Sequence, residues 1–237
     1  MRRRMINPQN DIEAWEAYAK DRWVYNKLDL SLKLNYHAGP ACVPIKKSGN
    51  FCIRPIMNLN GMGIGAVKKR LNVTVHASEM ENHAHVPPGY FWVEWFDGPH
   101  ISVDFTKNPD TKKWEAFSAI QGFHENDDSN LTKFIRWKVV KPELDYNLPN
   151  WVHKIKTEKY LNIEFRQGKI IEIHLRSGND SFWSCALGTE ILPVWKNVKY
   201  NKMETSMKFI PNFYEGLARY EASGHQTDVR IGYYIDE

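Results

Sequence analysis

The chain has 237 residues, 42% hydrophobic and 25% charged, enough apolar material for one large domain or two small ones and too much for a disordered chain. The net charge is +4, with Lys and Arg scattered rather than gathered into the patch of a nucleic-acid binder, so an ordinary solvated surface is expected. No apolar run approaches the roughly 18 residues of a membrane span. The basic start MRRRMINPQND lacks a signal-peptide core, and Cys42, Cys52 and Cys185 form no pairing pattern, so a reduced, intracellular protein is expected.

Asn10 or Asp11 is placed to cap a helix through IEAWEAYAKDRW. A second helical stretch, VYNKLDLSLKLN, puts Tyr25, Leu28 and Leu32 on one stripe. HAGPACVPIKKSG reads as loop or short extended segment, and Phe51–Met57 as a strand interrupted by Pro55. Asn58–Ala66, with Gly61, Gly63 and Gly65, reads as a mobile loop or tight turn. Val67–His76 is a weak strand and residues 77–89 a loop. Tyr90–Phe96 reads as a buried aromatic strand, joined through Asp97-Gly98-Pro99 in a hairpin to His100–Phe105. Trp114–Gly122 is a further strand, and Leu131–Val140 fits either period. Trp151–Tyr160 and Asp180–Leu192 read as helices, Ser206–Arg219 is ambiguous, and Val229–Ile235 is a closing strand.

The clearest pattern is Leu161–Arg176, LNIEFRQGKIIEIHLR. Leu161, Ile163, Phe165, Ile171, Ile173 and Leu175 share one parity; Asn162, Glu164, Arg166, Glu172, His174 and Arg176 share the other. A three-residue loop, Gln167-Gly168-Lys169, sets Glu164 opposite Glu172. Like charges facing each other destabilise a ladder, so the pair calls for a cation. Carboxylate oxygens suit Mg²⁺ with substrate phosphates. The competing reading is a sheet face simply wetted by solvent.

Gly61, Gly63 and Gly65 offer backbone N–H groups for a phosphate, though neither a Walker A ending nor a Rossmann fingerprint is present, and a plain turn is the commoner explanation. Arg54, between Ile53 and Pro55 in an apolar strand, is less ordinary than Lys27 in its helix. No zinc-ligand spacing and no nucleophile elbow occur.

In order, these segments resemble the ATP-grasp superfamily over about Tyr25–Arg176. NKLDLSLKLNYHAGPACVP matches a helix with a phosphate Lys, and IRPIMNLNGMGIGA matches a strand entering a glycine-rich flap, with Arg54 in place of Lys. VEWFDGPHISVD matches the hinge strand with its Glu, and IEF…IIEIHLR matches the metal-binding pair, with His174 replacing Asn. The resemblance implies an α+β fold whose two lobes, built on antiparallel sheets, grip a nucleotide. It implies a lead-in over 1–36, a small lobe with the flap over 37–97, and a large lobe with the metal-binding sheet and a C-terminal extension over 98–237.

The resemblance implies ATP and Mg²⁺, or Mn²⁺, as cofactors. Lys27, Arg54 and the flap glycines Gly61, Gly63 and Gly65 would hold the phosphates. Glu94, Trp95, Phe96 and His100 would serve the nucleotide. Glu164, Glu172 and His174 would hold the metal, and Arg176, with His174, the reacting end. The typical reaction makes an acylphosphate from a carboxylate, which an amine or thiol then attacks. The partners implied are a nucleotide and a small carboxylate, amine or peptide, with no membrane or nucleic acid and with an oligomer allowed. The location implied is cytoplasmic, in the host if the chain is viral. The acceptor is left to residues 177–237 or to a partner. A small-molecule kinase, and a binding module that has lost its chemistry, are the alternatives.

Overall fold

The computed structural model describes residues 8, 10–59, 65–73, 86–124, 131, 134–143, 146–157, 159–178, 182–195, 207–211 and 230–236. Its strands form two antiparallel sheets. A four-stranded sheet has the order β1-β4-β2-β3. It contains β1 (Ala38–Pro40), β2 (Gly49–Pro55), β3 (Val67–Leu71) and β4 (Tyr90–Glu94). An eight-stranded sheet has the order β11-β12-β10-β7-β6-β5-β8-β9. Its strands are β5 (His100–Lys107), β6 (Trp114–His124), β7 (Phe134–Val140), β8 (Tyr160–Arg166), β9 (Lys169–His174), β10 (Glu190–Trp195), β11 (Lys208–Pro211) and β12 (Arg230–Ile235). The architecture is α+β.

Two short helices precede the sheets. Helix α1 (Asp11–Ala17) is capped by Asn10, whose side chain accepts from Glu13 N at 2.9 Å while its amide donates to the Glu13 carboxylate at 2.8 Å. Helix α2 (Lys27–Lys33) is capped by Asn26, which accepts from Asp29 N at 3.1 Å. One first-turn N–H of α2 is satisfied from outside: Lys27 N donates to Ile56 O at 2.8 Å, beside an Asn26–Met57 bridge. The buried stripe of α2 is Lys27, Leu30 and Ser31, while Leu32 is 48% exposed. Of the expected Tyr25–Leu28–Leu32 stripe only Tyr25 is buried, because α2 turns Lys27, Leu30 and Ser31 inward in place of Leu28 and Leu32.

The main core joins these helices to β5, β8 and β9, with Leu30, Val103, Phe105, Leu161, Ile163, Ile173 and Leu175 all nearly inaccessible. The small sheet has its own cluster around Phe51, Ile53, Leu71 and Trp92. A third, around Ile120, Trp137, Val139, Phe182 and Ile191, covers the middle strands of the large sheet.

Four local expectations are corrected. The strand at Tyr90–Phe96 makes no hairpin with His100–Phe105: β4 pairs with β1 and β2, whereas β5 pairs with β6 and β8. Trp95–Pro99 is instead the passage between the sheets. Among the described residues of Trp151–Tyr160 the helical structure is a 3₁₀ turn at Val152–Lys154, and Tyr160 already begins β8. The described part of Asp180–Leu192 turns and then enters β10, where apolar residues continue as a strand.

The hairpin loop is the fourth. Gln167 and Gly168, both at positive φ (52° and 68°), make a two-residue turn, and Arg166 pairs with Lys169. A bulge at Glu164/Phe165 then shifts the register, so Ile170 rather than Ile171 enters the core. The shift restores Glu164 opposite Glu172.

Ile163, fully buried between β5 and β9, sits where relaxation is hardest. Ile163→Ala should cost about 2–5 kcal/mol in urea unfolding; a loss under about 1 kcal/mol would mean that the centre of this sheet is not the core.

Candidate functional site

The register rows put one polar stripe on the large sheet: His100, Ser102 and Asp104 from β5 lie beside Arg166, Glu164 and Asn162 from β8. Glu172 and His174 from β9 extend the rows of Glu164 and Asn162. Toward β6 the row of Ser102 and Glu164 continues into Ile120, which is covered in the third core cluster. The face is thus polar only near its β9 edge, where the helical lead-in and the end of β2 approach it.

Glu172 is the meeting point. Lys27 Nζ donates to its Oε2 at 2.6 Å, and an Arg54 guanidinium nitrogen donates to its Oε1. Both cations are buried, with Lys27 4% and Arg54 8% exposed. Burial alone would raise the Glu172 carboxyl; Arg54 and Lys27 overturn this and hold it at about 2. Burial, with Arg54 nearby, pushes the Lys27 ammonium down, and Glu172 opposes that.

Glu164, on the facing strand, accepts from two histidines, His100 Nε2 at 2.8 Å and His174 Nε2 at 3.3 Å. Against the effect of burial, these contacts hold its carboxyl well below the ordinary range. His174 Nε2 lies 3.6 Å from Glu172 Oε2. One ligand atom each from Glu164, Glu172 and His174 can be chosen so that all lie within 4.8 Å of one another. Two carboxylates and an imidazole fit a divalent cation, and the nitrogen donor favours Mn²⁺ more than an all-oxygen set would.

Behind His174 stands a residue that sequence reasoning treated only as a helix cap. Asp11 is 2% exposed, and both its oxygens lie 3.1 Å from His174 Nδ1. It also accepts from Arg176 at 2.7 Å and from the Tyr25 hydroxyl at 3.0 Å. Although burial opposes ionisation, Arg176 and His174 hold the Asp11 carboxyl below the usual range. Burial would lower His174, but Asp11 and then Glu164 raise it to about 9.

The other expected site residues are distributed as follows. Arg176 is 5% exposed and directed to Asp11 and Ser177 O. Glu94 accepts from His37 N at 2.9 Å, and its own N–H donates to His37 O. The Trp95 ring has Arg166 at 4.1 Å and Lys68 at 4.5 Å, so it links the two sheets through cation–π contacts. Phe96 packs edge-on against Tyr36 at 4.8 Å. His100, expected near the nucleotide, touches Glu164. Gly65 has φ 75°, while Gly61 and Gly63 lie outside the described residues.

A second missed group is Asp104. It accepts from Asn162 at 2.9 Å, from Gly178 N at 2.7 Å and from Trp183 Nε1 at 2.7 Å, anchoring the chain after β9. A Cβ at Gly178 would come within 3.1 Å of Asn162 and 3.3 Å of Asp104, so this close approach favours glycine. Parity alone pointed to Asn162; nothing local pointed to Asp104.

No protein-family profile and no curated protein matches the chain. Solved structures similar to it include an L-amino acid ligase from Bacillus licheniformis, at 11% identity and TM-score 0.43, covering 74% of this chain and 42% of the ligase. Another is an ATP-grasp superfamily protein from Archaeoglobus fulgidus, at 13% identity and TM-score 0.40, covering 96% of this chain and 66% of that one. A third is the ADP complex of an N5-carboxyaminoimidazole synthetase from Staphylococcus aureus, at 9% identity and TM-score 0.45, covering 91% and 68%. The fold is similar to that of ATP-grasp proteins. The chain spans 42% to 68% of the length of these three structures.

His174 supplies a pH signature. A histidine raised from 6.5 to about 9 contributes stability that is complete below pH 6.5 and lost as pH rises through 9. In EDTA, the stability difference between wild type and His174→Asn should therefore shrink over that window, by on the order of 3 kcal/mol. Urea unfolding as a function of pH measures it, and a flat difference would mean that the imidazole is neutral in the fold.

Proposed function

We propose that the chain is an ATP-dependent ligase that activates a carboxylate as an acylphosphate for attack by an amine or thiol. The observation that carries this reading is the shared carboxylate of Glu172. On one side it meets two buried cations, Lys27 and Arg54, and on the other it belongs to the Glu164–Glu172–His174 set. A phosphate site and a divalent-cation site thus abut at one group, as phosphoryl transfer requires.

Lys27 and Arg54 bind the nucleotide phosphates, Arg54 through its planar fork and Lys27 as a point charge. Glu164, Glu172 and His174 hold Mg²⁺ or Mn²⁺, which supplies charge neutralisation at the transferring phosphoryl group. Glu94 at the end of β4, with Trp95 and Phe96 in the passage between the sheets, serves the base and ribose, and the flap around Gly61, Gly63 and Gly65 covers the phosphates. A substrate carboxylate oxygen attacks the γ-phosphorus and ADP leaves; the amine or thiol then attacks the acyl carbon and phosphate leaves. The lead-in 1–36, small lobe 37–97 and large lobe 98–237 are the working units.

One observation favours a second reading. Arg176, which a ligase would turn toward the acylphosphate, is engaged with Asp11 and Ser177. A small-molecule kinase needs no such group at the acceptor end.

The test is ADP release by the purified protein with Mg²⁺ or Mn²⁺ against pools of carboxylates and amines. Release that requires both a carboxylate and an amine or thiol, and stops in EDTA, is expected. Release with a single hydroxyl or carboxylate acceptor and no second partner would establish the kinase, and no nucleotide binding under any metal would refute both.

A further inference from the structure

We propose that Asp11 is a positioning residue for the metal, holding His174 so that its Nε2 serves as the third ligand. This rests on the metal reading of Glu164 and Glu172 given above. Asp11 is nearly inaccessible and lies 163 residues from His174 in sequence.

Besides His174, two partners lock the carboxylate. Arg176 donates to Oδ2 at 2.7 Å and the Tyr25 hydroxyl to Oδ1 at 3.0 Å. The same hydroxyl accepts from Leu175 N at 3.1 Å, so the tyrosine is itself pinned to β9. Tyr25 also stands edge-on to the imidazole, with ring centroids 6.4 Å apart. An ionised carboxylate has only acceptors to offer, so the imidazole nitrogen facing it, Nδ1, carries hydrogen. Nε2, which donates to Glu164 at 3.3 Å and lies 3.6 Å from Glu172, would give up its proton to coordinate a metal there, while Asp11 retains the one on Nδ1.

A carboxylate–imidazole–metal relay of this kind fixes the tautomer and ring orientation and makes the ligand more basic, and losing the outer partner typically costs 10–100-fold in metal affinity. A buried ion pair is weak evidence for a purely stabilising role, since a well-packed apolar group often does as well. Here the carboxylate comes from α1, outside both sheets, and its whole hydrogen-bonding capacity is spent on His174, its neighbour Arg176 and the tyrosine that braces β9. The lead-in helix thereby completes the metal centre, and the nitrogen donor shifts preference from Mg²⁺ toward Mn²⁺.

The experiment is Mn²⁺ titration in the presence of a saturating non-hydrolysable ATP analogue, followed by electron paramagnetic resonance with electron-spin-echo detection of ¹⁴N coupling, on the full chain and on Asp11→Asn, His174→Asn and the double variant. Wild type should bind Mn²⁺ with an imidazole ¹⁴N coupling. Asp11→Asn should weaken Mn²⁺ binding by about 10–100-fold and lower the Mn²⁺-over-Mg²⁺ ratio. In the His174→Asn background the second substitution should change affinity less than threefold, because its effect passes through the imidazole; a merely structural aspartate would cost the same in both backgrounds. If Asp11→Asn does not fold, the wild-type spectrum still tests the imidazole ligand that the inference requires, and its absence overturns the inference. Bound Mn²⁺ without ¹⁴N coupling, or additive losses in the double variant, would overturn the inference while leaving the Glu164–Glu172 site intact. No Mn²⁺ binding at all would overturn both.

Discussion

The carboxylate of Glu172 is the interaction on which the rest of the site depends. It neutralises Lys27 from α2 and Arg54 from β2, two cations that the fold buries. Breaking a buried pair by removing one partner typically costs 3–5 kcal/mol, and here one carboxylate serves two partners. The backbone is arranged to the same end: Lys27 N reaches Ile56 O, just beyond β2, so the helix start and the strand end arrive together above β9. A glutamine at position 172 would therefore leave both cations without their counter-charge, and Glu172 is a structural group whether or not it also serves as the proposed ligand.

In the proposed site this dual engagement would also dictate how ligands enter. A metal that takes Glu172 deprives Lys27 and Arg54 of their counter-charge, and a phosphate that takes the cations deprives Glu172 of its own. Each entry alone leaves buried charge uncompensated, while the two together exchange one set of pairs for another. Behind the exchange stands a second, more rigid layer in which Asp11, Arg176 and Tyr25 brace His174 and the end of β9. Asp104 does the same for the chain that follows.

Much of this was legible in the sequence, for physical reasons that can be named. The two-residue period of β8 and β9 exposes which side chains share a face, and the facing of Glu164 with Glu172 holds although the turn is one residue shorter than expected, because the bulge at Glu164/Phe165 makes up the difference in the register. Arg54 was visible as a charge inside an apolar strand. The β4–β5 connection was not legible, because a short Gly-Pro turn between two strands looks the same whether they pair or pass into different sheets. Asp11 was invisible because an acidic residue at a helix start has a sufficient local explanation. Its real partners, at positions 174 and 176, are brought to it only by tertiary packing.

The most direct test of the central role given to Glu172 is the coupling between metal and nucleotide. Calorimetric titration of Mn²⁺ into the protein, with and without a saturating non-hydrolysable ATP analogue, measures it, and the analogue's affinity with and without metal supplies the reciprocal value. Mutual enhancement of at least tenfold, about 1.4 kcal/mol of coupling, is the result expected if Glu172 exchanges its two cations for the metal as the phosphates arrive. Independent binding, with equal affinities in both states, would contradict the account.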